Sequence, residues 1–200
     1  MTQAKSRFRT FEEYAALDPS ELPEGNYELV DGVIVEMGAE NDQNLEIVSF
    51  LFSVFLQFVP YNLLRRGTEI AVPSRLVTSR FPDLTVLTEE TRAAMKRDRR
   101  SLIESNMPAP KLVVEVVSPG EPGSDNYDRD YIEKPREYAK RGIPEFWLID
   151  PVREVVLVLY LVERTYKTAE FRGMSQVKSS IFPTLSLTAQ QILAAGEEKV

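Results

Sequence analysis

The stretch "LVVEVVSP", Leu112 to Pro119, sets a single carboxylate, Glu115, inside a run of β-forming residues. Such a run reads as a buried strand. An ionised carboxylate among valines is unfavourable by several kcal/mol unless a cation or hydrogen-bond donors meet it. The partner of Glu115 therefore decides what this strand does.

Strand alternation puts Val113, Glu115 and Val117 on one face and Leu112, Val114 and Val116 on the other. Asp83, at the mouth of "PDLTVL", shares a face with Thr85 and Leu87 by the same alternation. If the two strands are neighbours, both acids project toward one point. Facing carboxylates repel and raise each other's pKa unless a cation intervenes. A divalent metal would resolve that conflict and could activate water for hydrolysis. Lys134, early in the helix that follows, would balance developing negative charge if that helix returns over the strand end. Plainer readings stand beside this one. Pro82-Asp83 is a common turn dipeptide, Glu115 could form a structural ion pair, and a helix lysine is usually solvated.

Outward from this centre the chain alternates between helix and strand signals. "TFEEYAAL" carries a capping box from Thr10 to Glu13, and Asp31-Gly32 in "NYELVDGVIVEM" is a hairpin signal. From Asn41 to about Val59 apolar residues cover most of a helical circumference, which predicts a largely buried helix. "TEIAVPSRLV" and "PDLTVL" read as strands. Asp128 to Arg141 reads as a helix ending at Gly142, with Pro135 demanding a late start or a kink. "EFWLID", "EVVLVLYLVE" and "YKTAEF" predict a β-meander, and "SLTAQQILAAGEE" a closing helix. The economical architecture is α/β (α+β), a central mixed sheet flanked by helices.

The 200 residues suit one domain spanning 1–200, its core at about 11–160 and its terminal β-structure and helix at 161–200. The chain has no cysteine and no histidine. That removes disulfides, thiolate nucleophiles, zinc sites built on Cys or His, and every Ser-His mechanism. Chemistry falls to carboxylates, Lys, Arg and hydroxyls, and oxygen ligands favour a hard cation such as Mg²⁺ or Mn²⁺. The longest apolar stretch is too short to span a bilayer, and "MTQAKSRFRT" lacks a signal-peptide core, so a cytoplasmic protein without membrane contact is expected. A net charge of −7 argues against bulk attraction to nucleic acid. "TRAAMKRDRR", Thr91 to Arg100, nevertheless carries five basic residues and one acid, either as a solvated face or as a phosphate-contacting patch.

In order and spacing, "YELVDG", "FPDLTVL", "LVVEVVSP" and "DYIEKPREYAKRGIPEFWLIDP" resemble the Uma-type restriction-endonuclease family within the PD-(D/E)XK nuclease superfamily, from roughly Phe11 to Tyr160. The resemblance implies a restriction-endonuclease-like core and a Mg²⁺- or Mn²⁺-dependent endonuclease that hydrolyses DNA. It also implies a set of roles. Asp83, Glu115 and the Val116 carbonyl would hold metal, with Glu28 assisting. The pattern's usual lysine, two residues after the glutamate, is Val117 here, so the resemblance moves that role to Lys134. Arg136 and Tyr138 are weaker matches, for phosphate contact or packing. A histidine common early in the buried helix is missing from "AENDQNLEIV", which puts that helix's part in substrate handling in question. Expected partners are DNA and a second copy in a homodimer, with no nucleotide cofactor. The alternative is a catalytically inactive module on the same scaffold that binds nucleic acid or a protein.

Overall fold

The computed structural model describes residues 7–25, 27–38, 41–95 and 100–195. Helix α1 (Phe11–Ala15) starts with the expected capping box between Thr10 and Glu13. Strands β1 (Tyr27–Val30) and β2 (Val33–Glu36) form the hairpin around Asp31-Gly32. Both turn residues have positive φ, 49° and 79°, which suits the twist of the flanking strands. Gly32 is required twice over, because a Cβ there would also collide with the Phe8 carbonyl oxygen. Gly32→Ala is expected to destabilise the protein by more than about 1 kcal/mol. A urea midpoint lowered at unchanged slope would register this, and an unaltered midpoint would refute it.

Asn41 caps α2 (Asp42–Phe55), which ends earlier than the apolar run suggests and buries one face, through Ile47, Val48, Leu51 and Phe55. Leu45 and Leu56 stay on the surface, at 38% and 42% exposure. The expectation of a largely buried helix is thus corrected: the residues facing the strand Leu112–Val116 and the helix Ala189–Leu193 are buried, Phe50, Phe52 and Val54 are partly covered, and the rest is exposed. After β3 (Leu64–Arg65), "TEIAVPSRLV" (Thr68 to Val77) yields only the short β4 (Glu69–Ala71), and β5 (Ser79–Arg80) begins beyond that stretch, after a turn. Pro73 offers no N–H to a ladder, and the Val72 N–H closes the turn on the Thr78 carbonyl at 3.1 Å.

Strand β6 (Leu84–Val86) leads through α3 (Glu89–Ala94) and β7 (Leu102–Ile103) to β8 (Leu112–Val116). The basic decade begins in α3, and its residues 96–99 lie outside the described residues. Arg100 serves the interior: its Nε lies 3.2 Å from Glu69 and its guanidinium 4.2 Å from the Tyr14 ring centre.

The helix expected from Asp128 is built in three parts. Helix α4 (Asp125–Asp128) runs into a π-helical turn, Arg129–Glu133, and then α5 (Lys134–Arg141). The wide turn puts Pro135 in the first turn of α5, where its missing N–H costs little. Gly142, at φ 81°, ends that helix. The meander follows as β9 (Glu145–Asp150), β10 (Val155–Val162) and β11 (Thr165–Phe171), and α6 (Ala189–Leu193) has its own capping box on Thr188.

The strands form two mixed sheets where the sequence suggests one. Their orders are β2-β1-β5-β4-β7 and β11-β10-β9-β8-β6-β3. In the second, β8 pairs parallel with β9 and antiparallel with β6. Its strand faces divide as alternation predicts. Leu112, Val114 and Val116 join α2 and α6 in one core, with Phe55, Trp147 and Ile192. Val113 and Val117 join a second core with Tyr138, Phe146 and, from the first sheet, Ile70. The face bearing Glu115 is therefore the one covered by α5 and the first sheet. Among the described residues no helix is long and apolar enough to cross a membrane.

Candidate active site

Strands β6 and β8 pair in the register Leu84↔Val114, Thr85↔Val113 and Val86↔Leu112. Continued by one residue, this register sets Asp83 opposite Glu115. The Asp83 carboxylate accepts a hydrogen bond from the Val116 N–H at 2.7 Å, which fixes it to the end of β8. Helix α5 carries Lys134 back over the same strand end. Its Nζ donates to Glu115 Oε2 at 2.8 Å, and the Tyr138 hydroxyl donates to Glu115 Oε1 at 2.5 Å. Lys134 and Tyr138 stand one turn apart on one face of the helix, so both reach a carboxylate that is only 4% exposed.

Lys134 serves three acids. Besides Glu115, its Nζ lies 3.1 Å from Asp130 and 3.6 Å from Glu28. Glu28, on β1, also receives Arg80 Nη1 at 2.8 Å. Arg80, itself buried on β5, holds Glu137 at 2.6 Å and Glu133 at 3.0 Å. Arg129 grips Asp130 with two bonds, of 2.9 and 3.1 Å. One continuous ionic network thus ties β1, β5, β8, the π-helical turn and α5 together.

Burial favours the neutral form of each group, and its neighbours decide the outcome. For Lys134 burial pushes the pKa down, but Glu115, Glu28 and Asp130 outweigh it and keep the ammonium charged. Burial would raise Glu28, yet Lys134 and Arg80 hold it below the usual range. Asp130 behaves alike, with Lys134 and Arg129 overcoming burial. Glu115 goes the other way: burial raises it, Lys134 opposes, and the charges of Glu28 and Asp130 add to the rise. Burial and the Glu115 carboxylate push Tyr138 well up, so its hydroxyl remains a donor.

These groups surround a cavity of about 280 Å³. Glu28, Asp83, Glu115, Val116 and Lys134, all singled out in the sequence, line it together, with Asp130, Arg129, Phe81 and Pro82. Helix α2, despite its missing histidine, contributes Leu45 and Val48 to the wall. Tyr138 is buried behind Glu115. Arg136 is not brought to this cavity: it lines another, of about 450 Å³, with Arg75 and Lys140. Sequence reasoning missed Asp130, Arg129 and Arg80. The spacing Asp130-x-x-x-Lys134, an ion pair one helical turn apart, was a readable signal for the first. Arg80 gave none, because its partners are remote in sequence.

The donor set suits a hard divalent cation, since Asp83, Glu115 and the Val116 carbonyl offer oxygen alone. As the side chains stand, no group of three or more acidic residues among those described gathers at metal-holding distance. The Lys134 ammonium instead occupies the centre of Glu115, Asp130 and Glu28. Two carboxylates, a main-chain carbonyl and water make the sparse set that Mg²⁺ accepts.

Four solved chains match this one. One is the crystal structure of a putative nuclease belonging to DUF820 from Anabaena variabilis ATCC 29413, at 21% identity and a TM-score of 0.66, over 88% of this chain and 94% of that one. That likeness shows a shared fold. No curated protein matches. Residues 11–190 match the Uma2 family, whose description is "Putative restriction endonuclease", and the chain belongs to that family.

Proposed function

We propose that this chain is a metal-dependent endonuclease that hydrolyses phosphodiester bonds of DNA. The observation that carries the reading is the meeting of Asp83 and Glu115 across the β6–β8 pair, at one cavity that Lys134 also lines. Asp83, Glu115 and the Val116 carbonyl would hold Mg²⁺ or Mn²⁺, with Glu28 close by, and the bound ion would polarise the phosphoryl oxygen and activate water. Lys134, kept charged by three carboxylates, acts as a hydrogen-bond donor and not as a base. It orients the attacking water and balances negative charge that builds on the phosphate. Tyr138 holds the second oxygen of Glu115 in place, and Arg80 does the same for Glu28. A homodimer would supply one site to each strand of a duplex.

The test is cleavage of supercoiled plasmid by the purified chain. Nicked or linear product is expected with Mg²⁺ or Mn²⁺ and none with a chelator. A second reading, a module on this scaffold that binds nucleic acid or a protein without cutting, draws support from the ammonium at the centre of the acids. Calorimetric titration with Mn²⁺ separates the two. Binding that disappears in Asp83→Ala supports the nuclease, and no detectable heat favours the module.

A further inference from the structure

Four carboxylates and three cationic side chains line the cavity, within a chain of net charge −7. Beside a bound metal, a protein cation that is not already neutralised is therefore the group best placed to receive an anionic substrate. Lys134 is engaged by Glu115 and Asp130, and Arg129 by Asp130. Arg66 differs from both. It is exposed at the cavity, immediately after β3, and among the described residues no carboxylate or carbonyl holds its guanidinium. Its neighbour Arg65 folds back on the carbonyls of Tyr61 and Leu64, at 3.4 and 3.1 Å. Gly67 follows at φ 68°, a left-handed turn that glycine takes without strain, and it also lines the cavity.

We propose that Arg66 is the positioning residue of this site. It receives a phosphodiester of the nucleic-acid backbone at the cavity mouth and sets the scissile bond against Asp83 and Glu115. A guanidinium matches this role because two of its N–H groups can meet two phosphate oxygens. The inference rests on the nuclease reading above.

The experiment compares the unaltered chain with Arg66→Ala and Arg66→Lys in steady-state cleavage of a duplex with Mg²⁺. A salt series of duplex binding by fluorescence anisotropy, in the Asp83→Ala background, accompanies it. Arg66→Ala is expected to raise KM about tenfold, to leave kcat within about twofold, and to reduce the slope of log K against log salt by about one. Arg66→Lys should restore that slope and most of KM. Unchanged KM and salt slope in Arg66→Ala, beside active unaltered protein, would overturn this inference alone. Failure of the unaltered chain both to bind and to cut DNA would overturn the nuclease reading and this inference with it.

Discussion

Asp83→Ala and Glu115→Ala are each expected to lower plasmid cleavage by more than about a hundredfold, because loss of an outer partner of a metal site already costs roughly ten- to a hundredfold. The fold should survive both changes. Asp83 is half-buried, and the hydrogen bond it accepts from the Val116 N–H is worth about 1 kcal/mol. Glu115→Ala takes away a carboxylate that is already crowded by Glu28 and Asp130, while Lys134 keeps Asp130 at 3.1 Å. Far-ultraviolet circular dichroism and a thermal melt would establish folding, and the plasmid assay would give the rate. Wild-type rates in both variants would exclude these residues from the chemistry. A purely structural role for the Lys134–Glu115 pair is tested by joining Lys134→Met to Glu115→Leu. Asp130 then keeps Arg129 and Glu28 keeps Arg80, so stability should remain near wild type. Cleavage should be lost.

Arg80→Met carries the largest expected effect on stability. Arg80 is 1% exposed and is bound to Glu28, Glu133 and Glu137 at once. Glu28 and Glu137 are themselves buried, so removing the guanidinium leaves two interior carboxylates short of a partner. Breaking a buried ionic pair from one side costs about 3–5 kcal/mol, and chemical denaturation at neutral pH should show a loss of that order. The pH dependence has a definite sign. Burial raises Glu28, but Lys134 and Arg80 outweigh it, so its pKa is lowered in the folded protein. Its contribution is complete above the ordinary glutamate range and disappears as pH falls through the depressed folded value. The gap between Arg80→Met and the unaltered chain should therefore be widest near neutrality and should narrow in acid. A gap that is constant with pH, or below about 1 kcal/mol, would show that Arg80 is not the counter-charge on which this interior depends.

Short-range signals were legible wherever a local rule left one solution. The Thr10–Glu13 capping box, the Asp31-Gly32 hairpin, the Gly142 helix end and the β9–β10–β11 meander are all found where the residues call for them. Pro135 demands an adjustment that the sequence anticipates, and its form is a π-helical turn, Arg129–Glu133, ahead of α5. The same sequence misled where burial was inferred from composition. Helix α2 is apolar over most of its circumference, but β8 and α6 cover only part of it, so Leu45 and Leu56 remain exposed. "TEIAVPSRLV" looks like one strand by propensity but keeps only β4, because Pro73 cannot donate to a ladder and the next strand starts at Ser79, outside the stretch.

The sequence by itself determined the alternation of β8, and with it which face Glu115 takes and which residues stand beside it. It also determined the chemistry open to the chain, because without histidine or cysteine only oxygen ligands and cationic side chains remain. Tertiary structure alone decided what Glu115 meets. Strand pairing put Asp83 opposite it, the return of α5 put Lys134 and Tyr138 on its two oxygens, and β1 and β5 closed the network with Glu28 and Arg80. The reason lies in the range of the forces involved. Periodicity and capping act between residues a few positions apart, whereas the charge state of a buried carboxylate is set by groups a few ångströms away that belong to distant parts of the chain.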